Sequence, residues 1–288
     1  MSRSIRITLL VENSVYRPGL FAEHGLAFWI ECNGRKILFD TGQGGVLEHN
    51  AHELNVRLED ADAIAISHGH FDHAGGLSIA LRREQPVDVF LHADALTPKF
   101  TPSKNGPARE IGIPAAVQAA LASPAARVRL VDQPVVIADG VTLTGPIPRV
   151  TSLEDTGGRF FRDAACTQPD PLSDDQALLL ETDRGTLVLL GCGHAGVIST
   201  LRYVQELTGG QPILAVLGGM HLVNASAKRI EMSVRALRQL RVQRLAPIHC
   251  TGSAANAALW TAFPRRIDNC HVGSTFTFEA NGGPYAMP

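Results

Sequence analysis

The chain has 288 residues, of which 45% are hydrophobic and 19% charged, enough apolar material for a sizeable core. A formal net charge of −2 supplies no electrostatic footprint for nucleic acid or an anionic membrane, and no window approaches the roughly 18–20 apolar residues of a membrane span. The five cysteines are odd in number and form no C-x-x-C pair, and the first residues carry no apolar signal segment, so a cytoplasmic protein with reduced thiols is expected.

Ile5 to Glu12 reads as a strand. Leu26 to Cys32 and Arg35 to Phe39 follow as two more, joined by Asn33-Gly34, a strong signal of a tight hairpin that delivers Asp40 to a strand end. Gly45 to Leu54 predicts a helix, and the apolar run Ala61 to Ile66 a short buried strand. Directly after it comes Ser67-His68-Gly69-His70-Phe71-Asp72-His73-Ala74-Gly75-Gly76, with three histidines and one aspartate inside six residues. On a loop between strand and helix such side chains can aim at one point without disturbing a core. Imidazole and carboxylate are donors that zinc, iron and manganese accept, so H-x-H-x-D-H predicts a metal site.

Gly75 to Arg83 predicts a helix, and Val87 to Leu91 a strand ending at His92, which lacks companion ligands and reads as structural or pocket-edge. Thr97 to Pro114, rich in Pro, Gly, Lys and Ser, reads as a long surface loop of the kind that forms lids. Lys99, Lys104 and Arg109 within it could meet an anionic substrate, though solvation is the simpler reading. A helix is expected over Pro114 to Ala122, then strands over Arg127 to Val131, Val135 to Ala138 and Val141 to Thr144, the last two turning at Asp139-Gly140. Glu154 to Asp175 has no periodicity and reads as a second active-site loop.

Gln176 to Glu181 and Thr186 to Leu190 form a hairpin, and one device then recurs. Apolar strands ending at Leu190, Leu217 and Ile248 run into Gly191-Cys192-Gly193-His194, Gly218-Gly219-Met220-His221 and His249-Cys250-Thr251-Gly252. Helices over Val197 to Leu207 and Ala227 to Leu240 separate them, and a short helix and two final strands close the chain. His68, His70, His194, His221 and His249 all stand where a strand stops, which predicts one shared cleft at the strand ends.

His68-x-His70-x-Asp72-His73, with Asp40-Thr41-Gly42 upstream, resembles the signature of the metallo-β-lactamase superfamily, and the likeness runs along essentially the whole chain. The resemblance implies an α+β fold, a four-layer αββα sandwich of two mixed sheets flanked by helices. It also implies a single domain over residues 1–288 with halves of roughly 1–145 and 146–288. It implies one or two divalent ions, zinc foremost, with manganese or iron as alternatives. His68 and His70 would hold the first and Asp72 and His73 the second, with His194 and His249 supplying the remaining imidazoles and Asp40 fixing a histidine ring from behind. The implied chemistry is attack by metal-activated water on an ester, lactone or phosphoester, with Asp72 orienting the nucleophile. His221 falls outside the ligand count; it could donate to substrate or leaving group, or replace His194 as a ligand.

One departure matters. Where the superfamily has a strand ending in Gly-Asp whose carboxylate bridges the metals, this chain has Gly191-Cys192-Gly193-His194, so the bridge is absent or falls to Cys192, Asp174 or Asp175. The set of motifs is most similar to the 7,8-dihydropterin-6-methyl-4-(β-D-ribofuranosyl)aminobenzene 5′-phosphate synthase-like subgroup. Its name-giving reaction joins a dihydropterin diphosphate to an arylamine ribose phosphate and releases diphosphate. The expected partner is a small, anionic substrate rather than nucleic acid or a membrane, with a homodimer as an option. The rival reading is a non-catalytic metal-binding or redox-sensing protein, with Cys192 and Cys250 beside His194 and His249.

Overall fold

The computed structural model describes residues 4–279. Its strands are β1 (Ser4–Val11), β2 (Ala27–Cys32), β3 (Arg35–Phe39), β4 (Ala63–Ala65), β5 (Val87–Leu91), β6 (Phe100–Thr101), β7 (Arg109–Glu110), β8 (Ala126–Leu130), β9 (Val135–Ala138), β10 (Val141–Leu143), β11 (Ala177–Thr182), β12 (Gly185–Leu190), β13 (Ile213–Gly218), β14 (Arg244–Pro247) and β15 (Thr275–Glu279). Its α-helices are α1 (Leu47–Glu53), α2 (Phe71–Ala74), α3 (Leu77–Ala80), α4 (Ala115–Leu121), α5 (Val197–Leu207), α6 (Ala227–Gln239) and α7 (Ser253–Ala262).

Two mixed sheets carry the architecture, one ordered β15-β1-β2-β3-β4-β5-β8 and the other β14-β13-β12-β11-β10-β9. The β2–β3 hairpin turns at Asn33 and Gly34, both with positive φ (51° and 79°), the twist-matched geometry that this dipeptide favours. Strand pairing beyond β3 is parallel through β4, β5 and β8, and β12, β13 and β14 are parallel to one another.

Alternation along the strands sorts side chains into layers. Phe28, Ile30, Ile37 and Phe39 of the first sheet meet Leu178, Leu180, Leu187 and Leu189 of the second in one buried core between the sheets. The opposite parity, Ala27, Trp29 and Leu38, packs against Leu47, Leu77 and Val117 of α1, α3 and α4. On the far side Leu179, Val188 and Leu190 pack against Leu201, Leu237 and Leu259 of α5, α6 and α7. The layers therefore run helix, sheet, sheet, helix: the αββα sandwich expected from the resemblance.

Three local expectations are corrected. The helix expected over Gly75 to Arg83 is only the short α3, and a separate turn, α2, precedes it over Phe71–Ala74. The Thr97–Pro114 segment is not wholly irregular: β6 pairs with β7. Of the two final strands, β15 alone forms among the described residues, paired with β1; Ile267 contributes only an isolated bridge to Leu245. No helix among the described residues is long and apolar enough to cross a membrane.

Candidate metal centre

Parallel strands from both sheets end at one place. β3 ends at Asp40, β4 leads to Ser67 through His70, β12 to Cys192 and His194, β13 to His221 and β14 to His249. Asp40, His221 and His249 all adopt left-handed backbone (φ 59°, 44° and 53°), a conformation costly outside glycine that the surrounding fold must impose. The approach of the two sheets is close enough that a Cβ on Gly191 would run into the Ser67 side chain.

Asp72 and His73 do not lie on a loop, as the sequence suggested, but on the single turn α2. Backbone bonds from Ala74 to His70 (3.0 Å) and Gly75 to Phe71 (2.8 Å) close that turn. The turn carries Asp72 and His73 towards His249, while the rings of His68 and His70 pack against His194 at 4.8 and 5.0 Å between centroids. All six expected ligands are thus brought together.

The outer nitrogen of each ring is engaged, which assigns its tautomer. His73 Nδ1 donates to Asp40 Oδ2 (2.7 Å) and His68 Nδ1 to Ser67 Oγ (2.9 Å), whose hydroxyl donates in turn to Asp40 Oδ2 (2.7 Å). His249 Nδ1 donates to Asn13 Oδ1 (3.0 Å), and His194 Nδ1 to the Thr156 carbonyl (2.8 Å). With Nδ1 donating, each of these rings turns an Nε2 lone pair into the cluster, the arrangement in which outer partners orient imidazole ligands for a metal. His73 Nε2 and His249 Nε2 face each other at 3.1 Å, with Cys192 Sγ 3.2 Å from His73 Nε2 and Asp72 Oδ2 3.8 Å from His73 Nε2 and 3.5 Å from His249 Nε2. Two lone pairs at that separation repel unless a cation lies between them. His68 Nε2 meets His70 Nδ1 at 3.0 Å, and the buried His70 Nε2, His194 Nε2 and His221 Nδ1 have no hydrogen-bond partner. The donor set fits a divalent ion.

Among the described residues, four groups have donor atoms within 4.8 Å of one another; two of them are His68, Cys192 and His194, and His73, Cys192 and His249, and a third is His24, Asp72 and His249. Cys192 belongs to both of the first two, so the thiol stands where a bridging carboxylate would. Both oxygens of Asp174 are committed elsewhere, one to the Gly69 N–H (2.7 Å) and one to Lys99 Nζ (3.2 Å), and Asp175 Oδ2 accepts the Ala195 N–H (2.6 Å). His221 packs on His194 (4.1 Å between centroids) and groups with Cys192 and Cys250.

Electrostatics suits ligation. Burial pushes His68 and His194 well below the ordinary histidine value and His70 down to about 3, so these rings are neutral and able to ligate. Burial pushes His73 the same way, but the Asp40 and Asp72 carboxylates outweigh it and raise that ring. Burial favours a protonated Asp72, yet His73, His24 and His249 hold it well below the usual carboxylate range. Burial pushes the Cys192 thiol up, so a thiolate there needs a neighbouring positive charge.

Several neighbours escaped the sequence reading. His24 Nε2 lies 3.2 Å from Asp72 Oδ2, from a loop with no motif around it. Glu12 Oε1 accepts the His249 N–H (2.9 Å), and Glu12-Asn13 is itself a polar pair at a strand end, the same signal that marked the histidines. Lys99 is not solvated but fully buried, between Asp170 (2.9 Å) and Asp174 (3.2 Å). His92 is structural: its Nδ1 accepts the Asp94 N–H (3.0 Å) at the start of a 3-10 turn.

Residues 21–203 match the profile of the metallo-beta-lactamase superfamily, and the chain belongs to that superfamily. It is 27% identical over 290 residues to the 7,8-dihydropterin-6-methyl-4-(beta-D-ribofuranosyl)-aminobenzene-5′-phosphate synthase of Methanocaldococcus jannaschii, covering 96% of this chain and 97% of the relative. A second, uncharacterized protein of that organism is 31% identical over 251 residues, covering 86% of this chain and 91% of the relative. The crystal structure of Tm1679, a metal-dependent hydrolase of the beta-lactamase superfamily, matches with a TM-score of 0.80 at 30% identity over 94% of this chain and 98% of that one. The expected superfamily and fold are borne out.

Proposed function

We propose that the chain is a metal-dependent hydrolase acting on an ester, lactone or phosphoester. The observation that carries this reading is the convergence of imidazole lone pairs, each fixed by an outer hydrogen bond, around Cys192. On this reading His68, His70 and His194 would hold one divalent ion and Asp72, His73 and His249 a second, with the Cys192 thiol available to either set. The ions supply Lewis acidity for the bond to be cleaved and lower the pKa of water to neutrality. Asp72, with one face towards the open cavity, orients the attacking water. His221, whose Nδ1 is unpartnered, carries the proton to the leaving group. Asp40, touching His73 directly and His68 through Ser67, keeps both rings in register.

The test is metal analysis of the purified protein together with turnover of phosphodiesters and lactones at neutral pH. About two ions per chain with turnover supports the reading, and His70→Ala should lose both while keeping its circular dichroism. A fully active His70→Ala overturns it. With cobalt bound, Cys192→Ser should lose the thiolate charge-transfer absorption; an unchanged spectrum removes Cys192 from the ligand set. The likeness to the synthase over 96% of the chain favours a second reading, transfer of a dihydropterin from its diphosphate. Diphosphate release from a pterin diphosphate, in a protein inert to hydrolase substrates, would select it.

A further inference from the structure

The histidine cluster opens into a cavity of about 570 Å³, the size of a small-molecule site. Part of its rim is built by two segments zipped together. Phe100 and Phe161 exchange both backbone hydrogen bonds (2.7 and 2.9 Å), Thr101 pairs with Arg109, and the Thr101 hydroxyl donates to the Arg159 carbonyl (3.2 Å). Arg109 and Arg159 are thereby set on either side of Thr101, and both line the cavity.

Neither guanidinium has a carboxylate within ion-pair distance among the described residues; that of Arg159 lies over the Phe161 ring, 5.7 Å from its centroid. Several surface arginines away from the cavity are paired with carboxylates, Arg35 with Asp62, Arg57 with Glu59, Arg82 with Glu48, and Arg127 and Arg129 with Asp88. Asp72 is the one acidic side chain lining the cavity, and its Oδ2 is already turned towards His24, His73 and His249. Between rim and cluster stands Phe160, its ring 5.1 Å from His70 and 5.2 Å from His194. A protein of net charge −2 thus places two cations without a carboxylate partner among the described residues at the mouth of the cavity that holds the histidine cluster.

We propose that Arg109 and Arg159 are specificity-determining residues that receive a phosphate monoester at the end of the substrate remote from the bond that reacts, with the substrate's body lying along Phe160. This rests on the hydrolase reading above. Guanidinium forks match the oxygens of phosphate and carboxylate alike. Two of them balance the charge of about −1.5 to −2 of a phosphate monoester at neutral pH, where a carboxylate offers a single charge.

The test compares two esters with the same scissile bond, one ending in a phosphate and one in a hydroxyl, on the metal-loaded protein and on the Arg109→Ala/Arg159→Ala double variant. The phosphorylated ester should be preferred, chiefly through KM, and the double variant should lose roughly tenfold or more of that preference in kcat/KM. An equal preference in both proteins overturns the proposal. If neither protein turns over either ester, the hydrolase reading fails separately, and calorimetric binding of phenyl phosphate decides the rest. Weakening of roughly tenfold in the double variant supports the receptor. Equal binding by the two proteins, or benzoate binding the wild type as tightly as phenyl phosphate, overturns it.

Discussion

Lys99→Met is the most informative perturbation of the scaffold around the centre. The ammonium lies with no solvent exposure, 2.9 Å from Asp170 and 3.2 Å from Asp174, and Asp174 spends its other oxygen on the amide of Gly69, between His68 and His70. Methionine keeps the apolar stem and deletes the charge, leaving Asp170 the Leu172 N–H (2.9 Å) and, as its one remaining cation among the described residues, Arg162 at 3.6 Å. Removing one partner of a buried ion pair costs about 3–5 kcal/mol, or roughly 10 °C of melting temperature for a chain of this size. The effect has a pH signature. Burial raises Asp170, but Lys99 outweighs it and holds the carboxyl below its ordinary value. A carboxyl lowered in the fold stabilises it above the ordinary value of about 4 and loses that contribution as pH falls through the lowered value. The deficit of Lys99→Met is therefore full at pH 7 and shrinks as pH falls below about 4. Denaturant unfolding of chelator-treated wild type and variant at both pH values measures it. A deficit under about 0.5 kcal/mol at pH 7, the level of an ordinary surface change, or an equal deficit at both pH values, refutes the buried-triad reasoning.

Three further outcomes are expected. Asp40→Asn, which disturbs the supports of His68 and His73 together, should weaken metal binding by roughly 10–100-fold in a competitive chelator titration. Glu154→Ala leaves the backbone amides of Ile198 and Ser199 without the carboxylate that meets them at 2.8 and 2.9 Å, and should cost about 1–3 kcal/mol in denaturant unfolding. Gly157→Ala places a methyl group on the His221 ring from a left-handed backbone (φ 80°), so turnover should fall while metal content stays at the wild-type level.

The strands were legible because their side chains alternate and their ends carry glycine, asparagine or histidine; β2, β3, β12 and β13 lie within a residue or so of their expected bounds. The helical turn at Asp72 and His73 was not, since four residues are too few to display a helical period. Lys99 read as a solvated loop cation because its counterions stand 71 and 75 residues further on. A larger separation, 237 and 236 residues, hid the support of His249, which comes from Glu12 and Asn13. H-x-H-x-D-H marked this histidine cluster through local spacing alone; what surrounds it is assembled across the fold and leaves no local trace.

The pairing of β1 with both β2 and β15 bears on how the protein is made. β1 leaves the ribosome well before its partner and completes its pairing only when Thr275 to Glu279 arrive, and the residues that steady His249 wait 237 and 236 positions for it. A nascent chain that has emerged as far as residue 240 already displays His68, His70, Asp72 and His73, without the imidazole that faces His73. Contacts of such long sequence separation form slowly, so the centre closes at the end of folding, and an ion captured earlier would sit in an incomplete set of donors.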